Sequence, residues 1–386
     1  MCAKKASVNR QGSDDFELEP DGWWLERIRR DLLSWHSDAG RDLPWRGERD
    51  PYKVLVSELM LVQTTVAAVK PYYVRFLERF PTIQSLAEAE EDQVLKAWEG
   101  LGYYRRVRQL HAAAQMIVRD HGRLFPRDPQ AILALPGVGR YVAGAIRSFA
   151  FGEPAPIVEA NTQRVLARWL AWDEDLKTTR SRDRLWGLAE RLVPEVAPGA
   201  FNQAFMDLGA TVCLPRAPLC LLCPVSADCK ARQLGLQDVI PVMTPRPAPL
   251  IVEEACAVVA DQDQFLLVKR GAGGLWDGFW EFPTVHLRGV DPAGRSFGQS
   301  LSMEQGILSV TGVEVVLGLE DHAFKFGVTK HQVTMHVFRG RAVGGKPLPG
   351  KGFQEAAWVG LAAISQLTFS SPSRRLLAWL HQTHDP

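Results

Sequence analysis

The sequence predicts an all-α region followed by a smaller mixed α+β domain. Three observations lead there. From about Asp21 to Leu236 apolar residues recur at helical spacing, and no alternating β-branched run stands out. A proline-crowded stretch, Ile240 to Pro249, interrupts that pattern and can continue neither a helix nor a central strand. Beyond it, apolar β-rich runs are separated by glycines. A chain of 386 residues, 46% of them hydrophobic, suggests two domains with ordinary buried cores.

Taken in order, residues 1–20 read as a disordered tail, because Met1 to Glu19 is polar and of mixed charge. Nothing there has the pattern of a signal peptide, and no apolar run is long enough to cross a membrane. A cytoplasmic location, at the nucleoid in a bacterium, is therefore expected, with no membrane partner. The helical domain spans 21–236, with stretches such as Tyr52 to Phe80 and Glu91 to Asp120 broken by short Pro or Gly punctuation. Residues 237–249 form a linker. The second domain, 250–382, carries β-rich runs at Ala255–Val268, His322–Gly340 and Glu355–Gly360 and a closing helix at Pro372–His381. There is no internal repeat.

Lys plus Arg is 45 and Asp plus Glu is 44, so a net charge of +1 does not announce a nucleic-acid partner. Arg105, Arg106 and Arg108 form a local basic cluster, which can sit on phosphates. Taken alone, the cluster reads better as a solvated helix face.

Six cysteines are present, and four crowd into Cys213-x6-Cys220-x2-Cys223-x5-Cys229; Cys2 and Cys256 stand alone. Without an export signal, a clustered set points to metal rather than disulfides. Zinc usually prefers two paired knuckles, and only one C-x2-C exists here. Iron–sulfur clusters accept less regular spacing. The chemistry alone leaves zinc and [4Fe–4S] open.

Two further motifs carry chemistry. Leu135-Pro-Gly-Val-Gly-Arg140 sits between helical patterns, where glycines allow a tight turn with outward N–H groups. Such a turn binds a phosphate without reading sequence, or it is a plain helix–helix connection. Glu58 lies in Tyr52-Lys-Val-Leu-Val-Ser-Glu-Leu-Met-Leu-Val-Gln-Thr-Thr-Val66, flanked at helical spacing by Val54, Leu55, Leu61 and Val62. Burial there raises a carboxylic acid's pKa, as a general acid near neutral pH requires. A core glutamate paired with an arginine accounts for the helix equally well.

These motifs together resemble the endonuclease III and MutY family of DNA glycosylases. The resemblance covers about Asp21 to Gln382 and is strongest over Leu43 to Cys229. It implies a helix-hairpin-helix glycosylase region in which Cys213, Cys220, Cys223 and Cys229 hold a [4Fe–4S] cluster in a loop at 213–229. It makes the 135–140 turn the hairpin that grips the DNA backbone through Gly137 and Gly139. Tyr141 stands where the bifunctional branch carries a lysine that attacks the sugar. Tyrosine cannot form a Schiff base, so the chain resembles the monofunctional branch.

By the same resemblance Glu58 protonates adenine. General acid help supplies roughly 10²–10⁴-fold, less than an enzyme needs, so a second group must stabilise the oxocarbenium-like sugar. The family uses an aspartate in a motif like L-D-G-N. Here the stretch is Ile157-Val-Glu159-Ala160-Asn161-Thr162, with glutamate for aspartate and alanine for glycine. Glu159 is expected as stabiliser or transient nucleophile, positioned by Asn161; a helix-start acid held by the dipole is compatible with that role. Leu43-Pro-Trp45-Arg46 resembles the adenine pocket, where Trp45 could flank a flipped base or be plainly structural. Asp207 is a candidate for adenine contact. Gln63 matches a residue that inserts near the lesion, although its neighbour Val62 is usually glutamine. Tyr103, in Gly100-Leu-Gly-Tyr-Tyr-Arg105, matches a wedge beside 8-oxoguanine.

The C-terminal part, with Gly274-Leu-Trp-Asp-Gly-Phe-Trp-Glu-Phe-Pro283, resembles the Nudix-like domain of MutY proteins. No R-E-x-x-E-E metal box is found, so nucleotide pyrophosphatase activity is not expected. The F-S-H-like loop that contacts damaged guanine is replaced by Val328-Thr329-Lys330-His331; Thr329 and His331 are candidates, and a surface β-hairpin is an equal reading. The expected function is monofunctional release of adenine paired with 8-oxoguanine or guanine in double-stranded DNA, by a monomer. Two rivals stand: a mismatch glycosylase with another base choice, such as thymine, and a cluster-bearing DNA-binding protein without turnover.

Overall fold

The computed structural model describes residues 20–245, 247–290, 296–297 and 302–383; the expected tail lies outside them, Pro20 apart. Helices come first: α1 (Gly22–Ala39), α2 (Pro51–Leu61), α3 (Val66–Arg79), α4 (Ile83–Ala87), α5 (Glu91–Trp98) and α6 (Arg105–Asp120). Then come α7 (Pro129–Ala134), α8 (Arg140–Ala145), α9 (Ala160–Leu170), α10 (Thr179–Leu192), α11 (Pro198–Thr211) and α12 (Lys230–Gln233), with a π-helical turn, Ile146–Ala150, directly after α8. Strands follow: β1 (Leu250–Asp261), β2 (Gln264–Arg270), β3 (Trp280–Glu281), β4 (Thr284–Val290) and β5 (Ser296–Phe297). Helix α13 (Met303–Thr311) precedes β6 (Val313–Val328), β7 (His331–Gly345) and β8 (Phe353–Gly360), and α14 (Leu361–Ile364) and α15 (Ser371–Thr383) come last. The fold class is the one expected: helices throughout the first part, a mixed sheet with helices in the second.

The compact units do not follow that change from helix to strand. One comprises the residues up to Glu58 with Leu124–Thr244; the other comprises Leu59–Arg123 with the residues from Pro245 onward. The helical stretches 52–80 and 91–120 are each two helices. The first breaks at 62–65 without proline or glycine, so Val62 lies beyond the end of α2 and is solvent-exposed rather than flanking Glu58. The second breaks at 99–104, where Gly100 has φ +102° and a Cβ would strike the Tyr72 hydroxyl.

In the first unit, Asp21 caps α1 by accepting from Trp24 N at 2.7 Å. Leu25, Ile28 and Leu32 lie three and four residues apart and so share the face that packs on α9, α10 and α11. Trp169 stacks on Phe205 with ring centroids 5.2 Å apart. Each fully buried apolar side chain of this kind contributes roughly 1.5–3 kcal/mol. Asp50 and Pro51 open α2, whose residues Val54 to Met60 are all buried. Part of the expected linker is anchored here: Ile240 O accepts from Arg168 Nε at 2.9 Å, and Thr244 bonds Asp175.

In the second unit, β1 pairs antiparallel with β2 and β4 and parallel with β7, Ala255 lying opposite His336. Strands β6 and β7 form a long hairpin, and β8 pairs with β2. Leu376, Leu377 and Leu380 of α15 pack with Phe282, Phe324 and Val337. Ile307 of α13 packs with Val259, Leu266 and Val313. Helices α5 and α6 join the same unit. Tyr104 meets the edge of Phe279 at 4.3 Å, and Glu99 accepts from Arg374 Nε (2.7 Å), Arg374 Nη2 (2.6 Å) and Phe369 N (2.7 Å).

Candidate active site and cysteine-lined cavity

Glu58 reaches its place because the middle of α2, Val54 to Met60, is buried on every face. It is 2% exposed, and its Oε2 accepts a hydrogen bond from the Tyr141 hydroxyl at 2.5 Å. Burial pushes its carboxyl up to about 7, opposed by the Tyr141 hydrogen bond and Arg46 and assisted by the charge of Glu159. Burial and the neighbouring Glu58 push the Tyr141 phenol well above its ordinary value, so it stays a donor. A buried carboxyl titrating near 7, held by a donor rather than matched by an ion pair, is suited to general acid work.

Glu159 is the N-cap of α9. Its two carboxylate oxygens accept from Asn161 N (2.8 Å) and Thr162 N (3.0 Å), and Thr162 Oγ1 accepts from Glu159 N, closing a capping box. Burial pushes this carboxyl up, while those two amides hold it down. Asn161 Oδ1 accepts from Arg164 Nη2 at 3.0 Å, and Arg164 also donates to the carbonyls of Cys213 and Gly209.

Asp207 is fully buried. His36 Nε2 lies 3.3 Å from its Oδ2, Arg41 donates to it through N, Nε and Nη2 at 3.0, 2.9 and 2.7 Å, and Arg46 donates through Nη2. These cations and donors overcome burial and hold its carboxyl down at about 2. Trp45 is buried beside Leu43 in the sequence of the same loop. His36, Arg41, Arg164 and Arg168 carried no sequence signal; apart from Asn161 beside Arg164, their partners lie 45 to 171 residues away.

The hairpin is built from α7, capped by Asp128 on Ala131 N at 2.8 Å, and α8. Leu135 and Val138 are buried and fix the turn, Gly137 adopts φ +79°, and a Cβ on Gly139 would meet open space. The backbone at Gly139 is thus free to be approached closely by a ligand.

The four clustered thiols are free, and all four line one cavity with Arg168, Trp169 and Leu208. Arg168 Nη1 donates to Cys213 Sγ at 3.2 Å, a cation suited to a thiolate. Among the described residues, no group of three or more His, Cys, Asp or Glu converges as ligands of one ion would. Four thiols lining one cavity are a donor set suited to a metal centre.

In the second unit, Gln63 and Tyr103 are exposed, Tyr103 by 55%, and both are left-handed, at φ 59° and 50°. Arg106 departs from the surface cluster expected for Arg105, Arg106 and Arg108. It is 7% exposed: its two Nη groups donate to backbone carbonyls and to the Thr64 hydroxyl, while its buried Nε has no partner among the described residues. Arg105 is exposed, and Arg108 pairs with Glu91 at 2.6 Å. Thr329 sits at φ 52° in the β6–β7 turn, and its Oγ1 lies 3.5 Å from Nδ1 of the buried His331, whose Nε2 has no hydrogen-bond partner. The Gly274–Pro283 motif supplies buried Phe279, Trp280 and Phe282 to the sheet's core, and Glu281 pairs with Arg270 at 2.7 Å.

Comparison with known proteins bears on both parts of the chain. The model of the HhH-GPD superfamily of base excision DNA repair proteins matches residues 56–191, and a NUDIX domain model matches 255–379. A human protein named adenine DNA glycosylase is 41% identical over 324 residues, covering 70% of this chain and 59% of its own length. Its rat counterpart is 37% identical over 403 residues, covering 90% of this chain and 77% of its own. The solved structure of a thermostable thymine-DNA glycosylase aligns with a TM-score of 0.52 at 32% identity, over 56% of this chain and all of its own.

Proposed function

The chain belongs to the adenine DNA glycosylase family, and from that premise we propose that it removes adenine paired with 8-oxoguanine or guanine from double-stranded DNA, as a monomer and without cutting the strand. The observation that carries this reading is Glu58, buried, bonded to Tyr141 and titrating near 7. With the target base flipped out, Glu58 gives its proton to a ring nitrogen of adenine, making the base a better leaving group. The C–N bond breaks with its electrons going to the base. Glu159 stabilises the positive sugar that remains, with Asn161 fixing its carboxylate, and water adds to the sugar carbon while its proton passes to the Glu58 carboxylate left by the first step. Arg46 and Trp45 line the pocket, and Asp207 holds Arg41 and Arg46 in place. Tyr141 excludes the lysine route and keeps Glu58 oriented.

Gly137 and Gly139 present the hairpin backbone to a phosphate. Gln63 and Tyr103 enter the duplex, and Thr329 and His331 face the damaged guanine. Cys213, Cys220, Cys223 and Cys229 are the ligands of a [4Fe–4S] cluster, which when bound supplies a rigid, charged loop rather than bond cleavage. The sequence regions proposed for these two roles are 21–236 and 250–382, joined by a linker at 237–249, and they do not coincide with the two compact units.

The thymine-directed alternative is disfavoured by extent. The rat adenine glycosylase aligns over 90% of this chain, whereas the thymine glycosylase aligns over 56%. The test is base release from duplexes carrying adenine opposite 8-oxoguanine, adenine opposite guanine, thymine opposite guanine, and an A·T pair. Strand breaks from the first two only, appearing only after mild alkali, are expected. Tight binding without abasic sites would replace this reading with a DNA-binding role.

A further inference from the structure

Among the described residues, Arg106 is a buried cation with no carboxylate partner. Its Nη1 donates to the carbonyls of Leu59 (2.7 Å), Met60 (2.9 Å) and Val62, and its Nη2 to Thr64 Oγ1 (3.0 Å) and Gly102 O (3.3 Å). Its guanidinium carbon lies 5.1 Å from the centroid of the Tyr103 ring and 5.6 Å from that of Trp98. Burial lowers its pKa to about 10, opposed by the phenol oxygen of Tyr103. A buried charge without a counter-ion is costly and persists when the surroundings require it.

What this cation joins is specific. Leu59, Met60, Val62 and Thr64 bracket the turn that ends α2 and carries Gln63. Gly102 and Tyr103 belong to the turn that opens α6. Both exposed side chains sit at left-handed backbone positions, which non-glycine residues hold only when their surroundings over-determine them. The planar fork of arginine reaches both turns at once; lysine, a point charge, cannot.

We infer that Arg106 is a positioning residue that locks the Gln63 and Tyr103 turns together, so that the two side chains meet the duplex as one preset unit. This rests on the proposed roles of Gln63 and Tyr103 in lesion reading. It does not depend on base release.

The test is a binding cycle in a Glu58→Gln background, which keeps the substrate intact. Affinity is measured by fluorescence anisotropy for duplexes with adenine opposite 8-oxoguanine and for an A·T duplex. Arg106→Lys and Arg106→Gln are made in the parent and in a Gln63→Ala/Tyr103→Ala variant, and thermal midpoints of all are recorded. In the parent, Arg106→Lys is expected to lose about tenfold or more in affinity for the lesion duplex, as loss of charge-assisted hydrogen bonds implies. In the double-alanine variant the same change is expected to cost less than about twofold, because coupled residues are non-additive. An equal loss in both backgrounds would assign Arg106 to general stability and overturn the inference. So would an unchanged affinity in the parent, or a parent that binds both duplexes alike. If the parent discriminates but the enzyme with Glu58 restored releases no adenine, the proposed activity fails and the positioning role stands on the cycle alone.

Discussion

The Tyr141 hydroxyl donates to Glu58 Oε2 across 2.5 Å, joining α8 to α2. It is the contact that most opposes the rise in the Glu58 pKa caused by burial. Single-turnover release should therefore be level below pH 7 and fall above it, as Glu58 loses its proton. Tyr141→Phe removes a bond to the charged form, so the alkaline limb should move to higher pH. A limb that moves down, or does not move, would separate Tyr141 from the titration.

Glu58 also links function to stability. Its folded pKa of about 7 exceeds the ordinary 4.5, so the folded state gains from the proton below that range and loses stability as pH rises towards 7. At pH 8 Glu58→Gln should be more stable than the parent by about 1–3 kcal/mol in urea unfolding, while abolishing base release. A less stable variant at pH 8 would argue that Glu58 is a structural ion.

Glu159→Ala removes an N-cap and a carboxylate together. The first costs about 1 kcal/mol of stability, and the second should cost about 10²–10³ in single-turnover rate. Glu159→Asp keeps both a cap and a charge and should stay within about tenfold of the parent. Full turnover by Glu159→Ala would leave Glu159 a cap alone.

Asp207 titrates at about 2, below its ordinary 3.8, so its contribution is present above pH 3.8 and is lost as pH falls through 2. Asp207→Asn strands Arg41 and Arg46 and should cost about 3 kcal/mol at pH 7. Between pH 4 and pH 2 the variant should lose less stability than the parent, measured by urea unfolding at each pH.

The purified chain should carry about four irons, as a [4Fe–4S] centre requires. Cys223→Ala should lose them and lower the thermal midpoint. Metal analysis finding one zinc and no iron would instead favour the mononuclear reading that the cysteine spacing alone left open.

The parts of the site legible in the sequence were those written in local spacing. The four cysteines fall within 213–229, and Glu58 sits in an apolar helix, so each could be found without knowing the fold. Glu159 kept its acid at a helix start despite the change from aspartate. What stayed hidden depends on distance or on backbone. Arg41 and Asp207 are 166 residues apart, and nothing in either neighbourhood names the other. Arg106 looked like a surface charge because most of its partners are main-chain carbonyls, which every residue possesses. The break at 62–65 has no glycine or proline, so periodicity ran through it and concealed the left-handed Gln63.

The bond between Glu99 and Arg374 also bears on biosynthesis. Helices α5 and α6 emerge from the ribosome long before their partners Phe279, Phe369 and Arg374 have been translated. Until then Phe76 already covers Trp98, but Tyr104 lacks the Phe279 ring and Glu99 lacks its Arg374 partner. The unit they belong to is completed near the end of translation, through contacts of high sequence separation, which form slowly. A nonsense codon beyond the linker would therefore do more than delete the sheet: it would leave the Tyr103 turn on helices whose packing was never finished.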